Sequence, residues 1–251
     1  MTLIPSNIIV NADDFGYSDN VNEAIVQAFE TGYINQTTLM VNMPSAIKAV
    51  ELARKNGFVD KVGLHLNLTE GYPLTVGLRN CAFFCEDGRF KGNIRSIVRT
   101  KIPKAALSLL REEIRAQIKL YLEYGLTLRH IDSHHHVHTE FAIFRLIESV
   151  FSMEKTDFNS MRIARNLCPH TLKDFHKRIY KTILNKAIRN RHTTSDLFGS
   201  YNDFVKFRTN ISNSRTCEIM VHPVLDNGIL VDKTDGGKLV KIPNNYEYGR
   251  K

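Results

Sequence analysis

The order of hydrophobic and polar positions predicts strands that alternate with helices along most of the chain. Residues 7–12 form a largely apolar run, which is typical of a strand buried on both faces of a parallel sheet. The following segment, from Ser18 or Asp19 to Gly32, has apolar residues at helical spacing and a capping residue at each end. Further strands are predicted at 34–42, 62–68, 126–131, 160–164 and 217–222, and further helices at 45–55, 104–124, 141–151 and 172–191. This alternation predicts an α/β fold with a parallel sheet and helical crossovers.

Two segments depart from the alternation. Residues 71–103 contain several glycines and two cysteines, show weak periodicity, and are predicted to form a long loop insertion. Residues 227–251 contain many glycine and lysine residues and few core positions, and are predicted to form an irregular tail. No linker or change in composition separates either segment from the rest. The sequence therefore predicts a single domain over residues 1–251.

Composition and length narrow the class of protein. The 251 residues are 43% hydrophobic and 24% charged, which is ordinary for a globular protein with a full-sized core. No apolar run approaches the roughly 20 residues that span a bilayer, and the N-terminus lacks the basic start of a signal peptide. The four cysteines are too scattered for a disulfide framework. We therefore predict a cytoplasmic protein with reduced thiols and no transmembrane segment.

The net charge of +8 is concentrated in one part of the chain. Ten lysine and arginine residues lie between Lys173 and Arg215, against three aspartates. A solvated helix face explains most such runs, although attraction to an anionic substrate, an acidic partner or a membrane surface stays open. The chain has no helix-turn-helix signature and no RNA-binding motif with interleaved aromatic residues. We therefore expect no nucleic-acid partner.

A histidine-rich segment follows the strand predicted at 126–131. Four of the ten histidines, with Asp132, fall within the seven residues from 132 to 138. If the strand continues, Asp132, His134 and His136 share one face. A carboxylate and imidazoles presented together suit Zn²⁺ or a similar divalent ion. The alternative interpretation is a polar surface loop that happens to contain many histidines.

Three other predicted strands also end in residues that could bind a metal or carry protons. Asp13 and Asp14 follow the first strand, His65 lies in the third and His222 ends the last. Barrel enzymes and open α/β sheets place their chemistry at such carboxyl ends. Adjacent carboxylates repel unless a cation or proton relieves them, although an aspartate before a helix can also be a simple cap. His222 could be a buried structural histidine or a general acid.

Four motifs occur in chain order: NADDFG at 11–16, GLHLNLTEG at 63–71, HIDSHHHVH at 130–138 and VHP at 221–223. Together they resemble the YdjC-like carbohydrate deacetylases, which include chitooligosaccharide deacetylases and the HpnK proteins of hopanoid biosynthesis. The resemblance runs through about nine-tenths of the chain. It implies a distorted (β/α) barrel resembling the polysaccharide deacetylase fold. It also implies a hydrolase that removes acetyl groups from N-acetylated sugars and depends on a divalent metal ion.

The resemblance assigns the main chemical roles by position. It implies Asp14, His65 and His134 as the ligands of one divalent ion, Mg²⁺ or Zn²⁺. Asp13 matches the base that activates a water molecule. His222 matches a catalytic or substrate-contacting residue, which would deliver a proton to the amine leaving group.

Three further residues receive supporting roles. Arg162 falls where the family places an arginine, and it could orient the base or bind substrate. Asp132 and His136 are predicted to face the substrate or to orient the metal ligand beside them. The expected substrate is an N-acetylated mono- or oligosaccharide or a glycoconjugate. The sequence leaves open which sugar and which metal are used, and whether the protein forms a homodimer.

Two other functions compete with this interpretation. A metal-dependent barrel hydrolase of another class, such as a PHP-like phosphoesterase, would also use histidines at a strand end, and the basic segment would suit a phosphate. Such enzymes usually carry their His-x-His motif on the first strand, where this chain has two aspartates. A carbohydrate-binding relative without catalysis is the second alternative. It would not need the second carboxylate, Asp13.

Overall fold

Seven parallel strands form the main sheet of the protein, which a computed structural model describes over residues 4–167, 175–208, 211, 214–234 and 239. The strands are β1 (Ile8–Phe15), β2 (Gln36–Leu39), β3 (Val62–Leu66), β4 (Cys85–Glu86), β5 (Arg89–Phe90), β6 (His130–Ser133), β7 (Ser160–Met161), β8 (Leu197–Ser200), β9 (Cys217–Val221), β10 (Pro223–Asp226) and β11 (Ile229–Asp232). The helices are α1 (Asp19–Glu30), α2 (Ala46–Lys55), α3 (Val76–Arg79), α4 (Ile94–Ile97), α5 (Lys104–Glu123), α6 (Phe141–Glu154), α7 (Phe175–Arg189) and α8 (Tyr201–Phe207). The main sheet has the order β7-β6-β3-β2-β1-β9-β8, and β4–β5 and β10–β11 are separate antiparallel hairpins.

The sheet curls until its two edge strands meet. Ser160 of β7 forms a parallel bridge with Thr193, which precedes β8, and the N–H of Met161 donates to the carbonyl of Thr193 at 3.1 Å. The N–H of Leu167 donates to the carbonyl of Phe198 in β8 at 3.0 Å. A few hydrogen bonds thus replace a full ladder at this seam. The predicted α/β fold with a distorted barrel is confirmed.

Amphipathic helices cover the sheet as the hydrophobic spacing predicts. The side chain of Ser18 caps α1 by accepting the N–H of Val21 at 3.3 Å. On α5, Leu110, Ile114 and Ile118 are buried, and each such side chain contributes about 1.5–3 kcal/mol to stability. None of the described helices is long and apolar enough to cross a membrane.

The structure also differs from the predicted elements. β8 and α8 were not predicted, because a four-residue strand containing Gly199 followed by a seven-residue helix leaves little periodic signal. The tail predicted to be irregular from residue 227 begins instead with β11, the second strand of a hairpin. The segment 71–103 contains α3, the β4–β5 hairpin and α4. The helix predicted to begin at residue 172 starts at Phe175, and residues 168–174 lie outside the described part.

A buried carboxylate attaches the segment 71–103 to α5. Glu113 is fully buried, and its two oxygens accept the N–H groups of Leu74 and Thr75 at 2.9 and 2.8 Å. The hydroxyl of Thr75 and the amide of Gln117 donate to the same carboxylate at 2.8 and 2.9 Å. Hydrogen bonds to a charged group are stronger than neutral ones, so this contact fixes the start of an otherwise weakly periodic segment.

We predict that Glu113→Gln lowers the free energy of unfolding by about 1.5–3 kcal/mol, because the amide loses the charge and turns an N–H group towards other donors. The neighbouring Glu112→Gln is the matched control. The Glu112 side chain is 48% exposed and pairs only with Arg115 at 3.4 Å among the contacts described, so its loss should stay below about 0.5 kcal/mol. Urea unfolding of both variants measures the difference. Equal losses would contradict the role assigned to Glu113.

Candidate active site

The end of β1 separates two neighbouring carboxylates. The pairing of β1 with β2 shifts register between Ala12 and Phe15, and Asp14 has a φ of 69°, in the left-handed region that non-glycine residues rarely occupy. As a result, Asp13 is buried and contacts Arg162, whereas the side chain of Asp14 is 16% exposed. The two aspartates can therefore serve different chemical purposes.

The histidine-rich segment is a tight turn and not a continued strand. β6 ends at Ser133, and residues His134–Thr139 form a 3₁₀ turn in which His135 and His136 each have a φ of 53°. The expectation that the strand continues through His136 is therefore wrong, because the strand ends at Ser133. The ring of His136 packs edge-on against Phe198, with centroids 5.6 Å apart.

Asp14, His65 and His134 meet at the carboxyl ends of β1, β3 and β6. One potential ligand atom from each lies within 4.8 Å of the others. Oδ1 of Asp14 is 2.7 Å from Nδ1 of His134 and 3.2 Å from Nε2 of His65. The buried Nε2 of His134 makes no well-oriented hydrogen bond among the described residues, and its one near neighbour among the described ion pairs is Oε1 of Glu70 at 3.3 Å. Two imidazoles and a carboxylate are a donor set that suits Zn²⁺ and several other divalent ions, so these residues fit the predicted metal.

Asp132 orients His65 from behind. Its Oδ1 lies 2.7 Å from Nδ1 of His65, and the hydroxyl of Thr38 donates to its Oδ2 at 3.1 Å. This arrangement turns Nε2 of His65 towards Asp14, as in metal sites where a carboxylate fixes a histidine ligand. Burial disfavours a charged histidine, but the Asp132 carboxylate raises the pKa of His65 to about 10. Burial also disfavours a charged Asp14, yet hydrogen bonds from His134 and His65 hold the pKa of Asp14 well below its usual value.

Arg162 connects the carboxylates of the barrel interior. Its guanidinium is fully buried and donates to both oxygens of Asp13 at 2.7 Å. It also lies 2.7 Å from Oδ2 of Asp132 and donates to Glu218 at 2.6 Å. The guanidinium carbon lies over the ring of Phe198, 4.7 Å from the ring centroid, in a cation–π contact. Arg162 thus orients Asp13 and also holds Asp132, the carboxylate that contacts His65.

His222 follows β9, the strand next to β1, and its ring approaches Asp13. Its Nε2 lies 4.0 Å from Oδ2 of Asp13, and its Nδ1 lies 2.8 Å from the hydroxyl of Thr234. Its backbone N–H donates to Asp232 at 3.0 Å. The β10–β11 hairpin therefore sets the orientation of this histidine, although the sequence analysis predicted an irregular tail for part of it.

The structure adds polar residues that were not predicted to belong to the site: Asn11, Tyr17, Thr38, Glu70 and Glu218. Oε1 of Glu70 lies 3.3 Å from Nε2 of His134 and 3.8 Å from Nε2 of His135. These three residues form a second group of potential ligands that shares His134 with the first. Glu70 lies inside the motif at 63–71, which was a usable signal. The buried strand residues Thr38 and Glu218 offered none.

The fold and the site define a barrel-type α/β protein with a candidate metal centre at the carboxyl ends of its strands. The model of the family described as YdjC-like protein matches residues 7–248. The chain belongs to this family, and the resemblance stated from its motifs is confirmed.

Individual relatives agree with this assignment. A protein of Geobacillus stearothermophilus named carbohydrate deacetylase is 34% identical over 225 residues, which cover 88% of this chain and 80% of that protein. A protein of Clostridium beijerinckii with the same name is 32% identical over 232 residues, covering 89% and 84%. A solved structure from Enterococcus faecalis, named as a candidate cellobiose-phosphate cleavage protein, has a TM-score of 0.68 and 23% identity, covering 87% of this chain and 81% of that one. This last likeness shows the fold alone.

We predict that Arg162→Met lowers the free energy of unfolding by about 3–5 kcal/mol at neutral pH, because three buried carboxylates lose their counter-charge. The exposed Arg191, which pairs with Glu148 at 2.9 Å, provides the control Arg191→Met, with an expected loss of about 1 kcal/mol or less.

The loss in Arg162→Met should depend on pH. The pKa of Asp132 is lowered in the folded protein because the charges of Arg162 and His65 outweigh its burial. Its stabilising contribution is therefore present above the unfolded pKa of about 4 and is lost as the pH falls. Chemical unfolding at several pH values should show the difference between Arg162→Met and the wild type shrinking on acidification. A difference that stays constant as the pH falls from about 4 to about 2 would contradict this explanation.

Proposed function

We propose that the chain is a metal-dependent carbohydrate N-deacetylase, a hydrolase that releases acetate from N-acetylated sugars. The observation that carries the proposal is the arrangement at the end of β1. Asp14 lies next to the imidazoles of His65 and His134, and the adjacent Asp13 forms an ion pair with the buried Arg162. The names of the relatives and membership of the YdjC-like family support the hydrolase class. The substrate would be an N-acetylated mono- or oligosaccharide or a glycoconjugate.

Asp14, His65 and His134 would hold the divalent ion, Mg²⁺ or Zn²⁺. When bound, such an ion supplies Lewis-acid chemistry, which polarises an amide carbonyl and acidifies water. Asp132 would keep His65 in the orientation that ligation needs, through the 2.7 Å contact with its Nδ1. His136 would contribute only indirectly, by packing against the Phe198 ring that also contacts Arg162.

Asp13 would be the base that accepts a proton from the attacking water. Arg162 holds both of its oxygens, so the carboxylate cannot rotate away from the site. His222 would be the acid that delivers a proton to the amine as the bond between nitrogen and the acetyl carbon breaks. Its Nε2 is the ring nitrogen on the side of Asp13, because Nδ1 is engaged by Thr234. Base and acid thus reach the reacting amide from two different elements.

We predict that the purified protein releases acetate from N-acetylglucosamine or its short oligomers, and that a chelator abolishes the release until a divalent ion is restored. Sugar phosphates assayed in parallel for phosphate release are the comparison for the phosphoesterase alternative. Phosphate release without acetate release would favour that alternative. A filled metal site with neither reaction, over a broad panel of acetylated sugars, would favour a carbohydrate-binding relative.

Substitutions should separate metal binding from catalysis. We predict that His65→Gln and His134→Gln lose tight metal binding together with acetate release. In contrast, Asp13→Asn should keep the metal and lose about 10²–10⁴-fold in kcat, as expected for removal of a general base. The matched control is His176→Gln, because that histidine is exposed on α7 and belongs to neither group of potential ligands. Metal content by atomic emission and acetate release measure the two properties. Full activity in His65→Gln or His134→Gln would overturn the ligand assignment.

A further inference from the structure

Helix α7 carries an apolar stripe that points away from the protein core. Phe175, Ile179 and Ile183 follow one another at four-residue spacing and are 56%, 43% and 60% exposed. Residues at this spacing lie on one face of a helix. Leu184 and Ile188 are buried and face the barrel, so packing against the core accounts for a different stripe. Aligned apolar side chains of this size on a surface usually mark a site of interaction.

Basic residues surround the exposed stripe. The sequence of α7 contains five lysine and arginine residues and no aspartate or glutamate. Arg178 and Lys186 are exposed, and each lies three residues from a member of the stripe, which places it beside the stripe on the helix surface. This helix is the centre of the basic segment that the candidate active site leaves unexplained.

A cationic cavity adjoins the first half of α7. It has a volume of about 910 Å³ and is lined by side chains that include Arg95, Arg99, Lys177 and Lys181. Among the described residues of its lining, the one carboxylate is that of Glu140, which accepts hydrogen bonds from Arg95 and Arg99 at 2.9 and 3.1 Å. In this described lining, cations therefore outnumber carboxylates next to the exposed stripe.

We propose that α7 docks the protein on the surface of an anionic lipid membrane. The stripe would enter the boundary between head groups and acyl chains, while Arg178 and Lys186 would meet lipid phosphates. This combination of apolar and basic residues is typical of helices that lie in a membrane interface.

Other occupants match the surface less well. A second copy docked through the same stripe would bring two helices without acidic residues against each other, and their positive charges would repel. A soluble phosphorylated molecule needs the cations but not the stripe. A single-stranded nucleic acid stacks successive bases on aromatic side chains, and of the three stripe residues only Phe175 is aromatic.

The docked face would lie beside the candidate active site. The hydroxyl of Tyr180, on α7, accepts the N–H of Phe141 at 2.8 Å and donates to the carbonyl of Thr139 at 3.1 Å. Thr139 ends the turn that begins with His134. A sugar attached to a membrane lipid could thus reach the site from the docked position. This consequence rests on the proposed function, whereas the docking itself does not.

Vesicle co-sedimentation of the full chain tests the proposal. Vesicles of phosphatidylcholine with about one-third phosphatidylglycerol should bind the protein at least about 10-fold more strongly than vesicles of phosphatidylcholine alone. A triple variant removes the apolar stripe: Phe175→Ser, Ile179→Ser and Ile183→Ser. A double variant reverses the flanking charges: Arg178→Glu and Lys186→Glu. Each should weaken binding to the anionic vesicles about 10-fold or more. Acetate release from a soluble acetylated sugar should stay unchanged in both, which separates this test from that of the proposed function.

Matched exposed positions elsewhere provide the controls. Ile47→Ser with Val76→Ser removes apolar side chains that are 62% and 67% exposed, and Lys119→Glu reverses a charge on α5. These variants should bind vesicles as the wild type does. Equal binding to both vesicle types, or wild-type binding by the α7 variants, overturns the proposal. Dimerisation in analytical ultracentrifugation that Ile183→Ser abolishes would identify a second copy as the occupant, which also overturns it.

Discussion

The guanidinium of Arg162 ties together strands that would be far apart in a flat sheet. It follows β7 at one edge and contacts Asp13 on β1, four strands away in the sheet order, at 2.7 Å. With strands about 4.8 Å apart, four steps across a flat sheet would separate them by about 19 Å. Glu218 on β9 is one strand further and still accepts from Arg162 at 2.6 Å. The curl of the sheet and this buried ionic network therefore depend on each other.

The same curl brings together the residues that could bind a metal, but local backbone conformation decides which ones meet. Asp14 on β1 and His134 after β6 are three strands apart in order and 2.7 Å apart in space. Asp14 reaches this position because of its left-handed backbone, which costs on the order of 1–3 kcal/mol unless surrounding contacts compensate. The hydrogen bonds to two histidines are such contacts. Strain at this strand end is thus coupled to the chemistry that the site can perform.

The sequence predicted which residues lie at the strand ends, but it did not predict the backbone conformation of the turns that follow those strands. Polar residues that follow apolar runs located Asp13, Asp14, His65 and His134, because parallel strands must end at a common edge. The left-handed conformations of His135 and His136 occur without a glycine as a signal, so the turn after Ser133 was not predicted. The role of Glu218 could not be predicted for another reason. This residue lies in a short apolar strand, and its partner Arg162 is 56 residues away in sequence.

Counting charges indicates why this interior suits a divalent ion. Four carboxylates, those of Asp13, Asp14, Asp132 and Glu218, are linked through contacts shorter than 3.5 Å to one permanent cation and to two histidines, His65 and His134. Burial lowers the pKa of His65, but the Asp132 carboxylate outweighs it and raises that pKa to about 10. A proton on His65 offsets one of the three excess negative charges. A divalent ion at Asp14 would offset two, and it would have to displace that proton to use Nε2 of His65. Since buried charge is costly unless it is paired, the proposed ion would compensate this group better than a proton does. The curl that brings the carboxylates together therefore also creates the excess of negative charge that the proposed metal would relieve.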